Sequence, residues 1–97
     1  MKTIEYSEDG IAFADAQAES KVREFLSSEA DYISVSTENF ILATRCMVYE
    51  KHFPYDQVVF LFKGQTLHLD KDGRLPVYPS AFCKHTEDFL FRLLARR

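Results

Sequence analysis

The stretch that decides the fold runs Thr3-Ile4-Glu5-Tyr6-Ser7-Glu8-Asp9-Gly10-Ile11-Ala12-Phe13-Ala14. Apolar and polar residues alternate on both sides of Asp9-Gly10. An Asp-Gly pair between two alternating runs is a hairpin signal, because a type I′ turn needs positive φ and Gly adopts it without strain. The pattern predicts Tyr6 opposite Phe13 and Glu8 opposite Ile11. Ile4, Tyr6, Ile11 and Phe13 then share a buried face, while Glu5 and Ser7 point to water. A hairpin at the start commits the sheet to antiparallel pairing.

Working outward, Asp15 is placed to cap a helix. Ala18, Val22, Phe25 and Leu26 recur at i, i+4, i+7 and i+8, a core-facing stripe, with Glu19 and Arg23 spaced i, i+4 on the wet side. Ser27-Ser28-Glu29-Ala30 ends that helix, and Asp31–Ser36 alternates as a strand with Ile33 and Val35 on one face. Residues 37–52 admit two readings. One is a helix capped by Thr37, with Phe40, Ala43, Thr44, Met47 and Lys51 on one side and Glu38, Arg45 and His52 on the other. The rival is a hairpin turning at Thr37-Glu38-Asn39; the helix is the favoured reading.

Pro54 breaks what precedes it. Val58–Phe62 is a β-branched and aromatic run, read as a buried strand. Thr66–Leu69 alternates, Asp70-Lys71-Asp72-Gly73 is a turn, and Arg74–Tyr78 returns as an edge strand because Pro76 has no N–H for a ladder. A last helix follows, capped by Ser80 or Thr86, with Phe89, Leu90, Leu93 and Leu94 as its stripe and Arg92, Arg96 and Arg97 toward its negative end. The expected architecture is one α+β domain over 1–97, a mostly antiparallel sheet of about five strands with two or three helices packed on one face.

Charge is distributed unevenly. Residues 1–38 carry nine carboxylates against three bases, a balance of −6, and residues 39–97 carry six against nine, a balance of +3. A coherent acidic face attracts basic partners and repels nucleic acid. Ninety-seven residues with nine Phe and five Tyr suffice for one dry core without a metal or disulfide. The start of the chain is polar and acidic, unlike a signal peptide, and the longest apolar run is Val58–Phe62, so the expectation is a cytoplasmic protein with reduced thiols and no membrane span.

Motifs that would name a reaction are missing. Cys46, His52, His68, Cys83 and His85 offer metal-ligand chemistry, but Cys46/His52 and Cys83/His85 are spaced by five residues and by one, neither a standard zinc pair. No Gly-rich turn surrounds either Cys, as a nucleophile elbow would require. Asp70–Gly73 has the Gly too early for a calcium loop, and the three glycines are isolated, so there is no phosphate cradle. No cofactor is expected, and no metal.

The leading expectation is a non-enzymatic protein-binding module: a small inhibitor whose acidic residues Glu5, Glu8, Asp9, Asp15, Glu19 and Glu24 occupy a basic nucleic-acid-binding site on a partner protein. Carboxylates along a ridge stand in for backbone phosphates. In profile (short, acidic, motif-free, α+β) the chain resembles phage-encoded counter-defence inhibitors such as anti-CRISPR proteins; the likeness is one of size and charge and is carried by no particular residues. Two alternatives stand beside it. One is a metal- or thiol-dependent protein using Cys46 and Cys83 with His52 and His85. The other is a structural homo-oligomer that pairs through the Arg74–Tyr78 edge and the aromatics Phe53, Tyr55 and Tyr78.

Overall fold

The computed structural model describes residues 1–75. The elements are β1 (Lys2–Ile11), α1 (Asp15–Ser27), β2 (Tyr32–Val35), α2 (Glu38–Tyr49), a 3-10 turn (Tyr55–Gln57), β3 (Val58–Phe62) and β4 (Gln65–His68). They build an α+β unit around a four-stranded sheet in the order β2-β1-β3-β4. The sheet is mixed. β1 runs parallel to β2 on one side and to β3 on the other, and β4 is antiparallel to β3. This corrects the expectation of a mostly antiparallel sheet of about five strands. The final strand reading (Arg74–Tyr78) runs past residue 75, where the description ends, and the last helix lies wholly outside the described residues.

The correction starts at Gly10. Residues 2–11 form one strand, with no hairpin at Asp9-Gly10. Gly10 does not take the positive φ that a type I′ turn needs; among the described glycines only Gly64 and Gly73 do. Its role is close approach: a Cβ at Gly10 would stand 2.5 Å from the carbonyl carbon of Val35. The ladder to β2 runs Thr3↔Tyr32, Ile4↔Ile33, Glu5↔Ser34 and Tyr6↔Val35, then jumps to Ile11↔Val35. Residues 7–10 therefore bulge out of register, and Ser36 N–H closes the strand end on the Ile11 carbonyl at 2.9 Å. Ile11, expected in the core, is 54% exposed, and Glu8 has no cross-strand Ile11 to face.

The true hairpin is at Lys63-Gly64. Phe62 pairs with Gln65, leaving a two-residue loop whose φ angles are 47° and 81°. Both are positive, as a type I′ turn demands.

One core unites the elements. Register pairs Ile4 with Phe60 and Phe60 with Leu67, so these side chains share a face. They join Val35, the α1 residues Val22, Phe25 and Leu26, and the α2 residues Phe40, Ile41, Met47 and Val48 in a single cluster. The apolar stripe read for α1 is buried at each of its four positions. α2 takes the helical reading of 37–52. Phe40 is its anchor, stacked against Phe13 at 4.9 Å and Phe25 at 6.2 Å between ring centroids.

Arg45 departs from the expected wet side of α2 and is fully buried. Its Nε donates to the Gly73 carbonyl at 2.9 Å, so the Asp70–Gly73 turn docks on the helix. Gly73 has φ 76°, and a Cβ there would stand 2.5 Å from the Arg45 carbonyl oxygen. The turn is braced from within by Asp70 Oδ1, which accepts the N–H groups of Asp72 and Arg74.

The helix ends also differ from the expected caps. Ala14, not Asp15, holds the N-cap of α1; Asp15 is the first helical residue, where its charge suits the dipole. Thr37 is the N-cap of α2, but its hydroxyl makes no cap hydrogen bond. It accepts Phe13 N–H at 3.3 Å and donates to Asn39 Oδ1 at 2.6 Å. Asn39 Nδ2 donates to the Phe13 carbonyl and to Asp15 Oδ1 at 2.7 and 2.8 Å. The starts of α1 and α2 are thus latched together at the carboxyl end of β1. At the opposite end Lys2, 9% exposed, donates from Nζ to the carbonyls of Ser28 (2.6 Å) and Ala30, just past the C-terminus of α1.

Candidate functional site

Parallel strands place their carboxyl ends together, and in open α/β sheets that end is where ligands are bound. Here the carboxyl ends of β1, β2 and β3 meet at an open cleft of about 590 Å³ lined by Glu5, Tyr6, Ser7, Glu8, Asp9, Ser36, Phe62 and Lys63. Three carboxylates stand against one ammonium. Two of them, Glu8 and Asp9, are on the bulge that interrupts the β1–β2 ladder. A bulge frees side chains from the sheet and re-aims them, so the distortion that defeats the hairpin is also what presents these acids.

The walls of the cleft are aromatic. Tyr6 and Phe62 meet edge-to-face with centroids 5.8 Å apart, and Lys63 Nζ lies 5.6 Å over the Phe62 ring. Burial pushes the Tyr6 phenol above its ordinary range, and the nearby Glu38 carboxylate raises it further. On the other face of β1, the Tyr32 hydroxyl donates to Glu5 Oε1. That hydrogen bond is the main reason the Tyr32 phenol is also raised. Ser7 Oγ accepts the Asp9 N–H at 3.3 Å and steadies the bulge. Glu8 and Asp9 are exposed, and among the described residues no base forms a salt bridge with either.

The six acids singled out in the sequence are thus divided. Glu5, Glu8 and Asp9 come together in the cleft. Asp15 is exposed at the start of α1 and held by Asn39. Glu19 is paired with Arg23 at 3.0 Å, and Glu24 lies 3.5 Å from Lys21. Glu24 follows Asp15 by nine positions, which puts them about half a turn apart around the helix axis. Ser36, Phe62 and Lys63 were missed because their place in the cleft depends on parallel pairing. The signal that could have found them is the strand–helix–strand–helix–strand succession from β1 to β3, the pattern of parallel crossovers.

The other candidate constellation is scattered. Cys46 is buried in α2, whereas His52 is half-exposed beyond its end, with Nε2 3.6 Å from Glu50 Oε2. Cys83 and His85 lie outside the described residues. Among the described residues no group of three His, Cys, Asp or Glu side chains is arranged to hold a metal ion, and no helix is long and apolar enough to cross a membrane. Of the aromatics suggested for self-association, Tyr55 is exposed and Phe53 packs partly against the core, while Tyr78 lies outside the described residues.

Comparison with known proteins finds no counterpart: no protein-family model, no curated protein and no solved structure matches the chain.

Proposed function

We propose that the protein is a non-enzymatic binding module that uses the acidic cleft to engage a basic surface of a partner, in its sharpest form the nucleic-acid-binding site of that partner. The observation that carries this reading is the gathering of Glu5, Glu8 and Asp9 on one aromatic-walled cleft, with the last two on a bulge and exposed. Their chemistry suits the recognition of Lys and Arg. A guanidinium can take a carboxylate in a bidentate pair and lie over an aromatic face at the same time. The remaining acids, Asp15, Glu19 and Glu24, extend the negative field over α1 and favour encounter more than contact, because two of them already have a base beside them. Blocking a nucleic-acid site in this manner needs no cofactor and no catalytic residue, which fits a phage-type counter-defence role in a cytoplasmic setting.

The test is affinity capture from host lysate with the tagged full chain at low and at high salt, followed by competition with nucleic acid. Capture that fails at high salt, and that nucleic acid reverses, supports the reading, since salt weakens the attraction between solvent-exposed opposite charges. Capture that persists at high salt and ignores nucleic acid would move the interface off the acids.

A further inference from the structure

Of the aspartates in the chain only Asp9 and Asp72 are followed by glycine. An Asp-Gly step carries its own chemistry, because no Cβ on the second residue hinders attack of its nitrogen on the Asp Cγ. The N–Cγ bond forms, the Cγ–OH bond breaks and water leaves, giving a five-membered succinimide. Water then reopens the ring at one of two bonds. Cleavage between the Gly nitrogen and Cγ restores aspartate. Cleavage between that nitrogen and the Asp main-chain carbonyl carbon leaves isoaspartate, in which the chain runs through Cγ and the former main-chain carbon becomes the free carboxylate. Solvent takes up and returns the water, and nothing is oxidised or reduced.

The rate depends on whether the Gly nitrogen can swing toward Cγ, and here the two steps differ. At Asp72-Gly73 the backbone is held on every side. Gly73 is buried, its N–H donates to the Asp70 carbonyl at 3.0 Å and its carbonyl accepts Arg45 Nε at 2.9 Å. The Asp72 N–H donates to Asp70 Oδ1 at 2.9 Å. At Asp9-Gly10 the ladder is interrupted. Pairing of β1 with β3 ends at Tyr6, and pairing with β2 skips from Tyr6 to Ile11. Asp9 is exposed on that bulge, and the bond from its own N–H to Ser7 Oγ leaves the Asp9–Gly10 peptide untouched. Segments outside the ladder open locally at lower cost than the core does.

We propose that Asp9 is a self-modification site, where the folded protein converts aspartate to isoaspartate through a succinimide with Gly10, while Asp72 is protected. The product adds one methylene to the main chain immediately before Gly10. There is no slack at that point, since even a Cβ on Gly10 would stand 2.5 Å from the Val35 carbonyl carbon. The extra length therefore goes into the bulge. It moves the carboxylate of residue 9 relative to Glu5 and Glu8 and loosens the closure of Ser36 N–H on the Ile11 carbonyl. The cleft changes shape with age while its charge stays the same, whatever it binds.

The test holds the full chain for several weeks at neutral pH and physiological temperature, beside a second sample kept in denaturant. Isoaspartate is read at each site by peptide mapping, where the isomer keeps its mass and shifts in elution, and by methyl labelling with an isoaspartate methyltransferase. The expected result is several-fold more isoaspartate at position 9 than at position 72 in the folded sample. In denaturant, where only the shared Asp-Gly sequence remains, the two positions should react alike. Asp9→Glu keeps the charge but would have to close a six-membered ring, so it should remove the label at position 9 and leave that at position 72. A folded chain with no isoaspartate at position 9, or with no more there than at position 72, overturns the proposal. So does a preference for position 9 that persists in denaturant, because the fold would then not be its cause.

Discussion

The two ends of β1 carry opposite charges under opposite circumstances. At the amino end Lys2 is buried, lies 5.1 Å from the Phe25 ring centroid and donates to two carbonyls at the close of α1. At the carboxyl end Glu5, Glu8 and Asp9 border an open cleft. Both placements agree with the helix dipole, since α1 begins at the carboxyl end of β1 and ends at its amino end. The difference is solvation. A buried ammonium without its acceptors would be costly, so Lys2 is committed to the fold. An exposed carboxylate costs the fold little, so Glu8 and Asp9 at the other end are open to a partner, while Glu5 is half-buried and accepts the Tyr32 hydroxyl. Charge at the amino end is a matter of stability, and charge at the carboxyl end is, under the proposed function, a matter of recognition.

The largest effect that sharpens this contrast lies away from both ends. Gly73→Ala would force a Cβ into the Arg45 carbonyl at a positive φ, so it should lose roughly 2–4 kcal/mol of unfolding free energy, read from a denaturant midpoint. Buried Arg45 would lose its seat on the turn. Next comes Lys2→Met, expected to cost about 1–3 kcal/mol, because the Ser28 and Ala30 carbonyls lose their donor. A midpoint unchanged by Lys2→Met would break the assignment of the amino end to stability.

Reversing Glu5, Glu8 and Asp9 to Lys together should shift the midpoint by much less, within about 0.5 kcal/mol for Glu8 and Asp9 as exposed groups, while abolishing partner capture. The smallest effect is spectroscopic. Glu5→Gln removes the carboxylate that accepts the Tyr32 hydroxyl, so the Tyr32 phenol should titrate at lower pH in an ultraviolet titration. The sign follows from the protonated phenol being the favoured form in the fold. Its contribution is present below the ordinary tyrosine range and is lost as pH rises through the raised value. An unmoved titration would remove the Tyr32–Glu5 hydrogen bond from the account.

Legibility in the sequence followed the range of the interaction. α1 was readable because Ala18, Val22, Phe25 and Leu26 repeat with helical period, a local property. α2 was readable for the same reason, except at Lys51, which lies past the helix end and is exposed, and at Arg45. A charged residue reads as solvated unless a remote acceptor is known, and the Gly73 carbonyl lies 28 positions away. The first strand misled because Asp9-Gly10 has the composition of a turn. Gly serves two purposes, positive φ and close approach, and the second depends on Val35, a residue of another strand. Lys63-Gly64 was the turn instead, with Lys63 accepting a positive φ that its type does not advertise. The cleft was half legible. Glu5, Glu8 and Asp9 are near one another in sequence, whereas Ser36, Phe62 and Lys63 are brought to them by parallel pairing alone.

The central claim is that the charged groups at the carboxyl end of β1 bind and those at the amino end hold the fold. The most direct test is a paired measurement of denaturant midpoint and salt-sensitive partner capture on two variants, Lys2→Met and the Glu5/Glu8/Asp9 reversal to Lys. The account predicts that Lys2→Met lowers the midpoint and keeps capture at temperatures where it is folded, whereas the reversal moves the midpoint far less and loses capture. Capture that survives the reversal, with the fold intact, would contradict it.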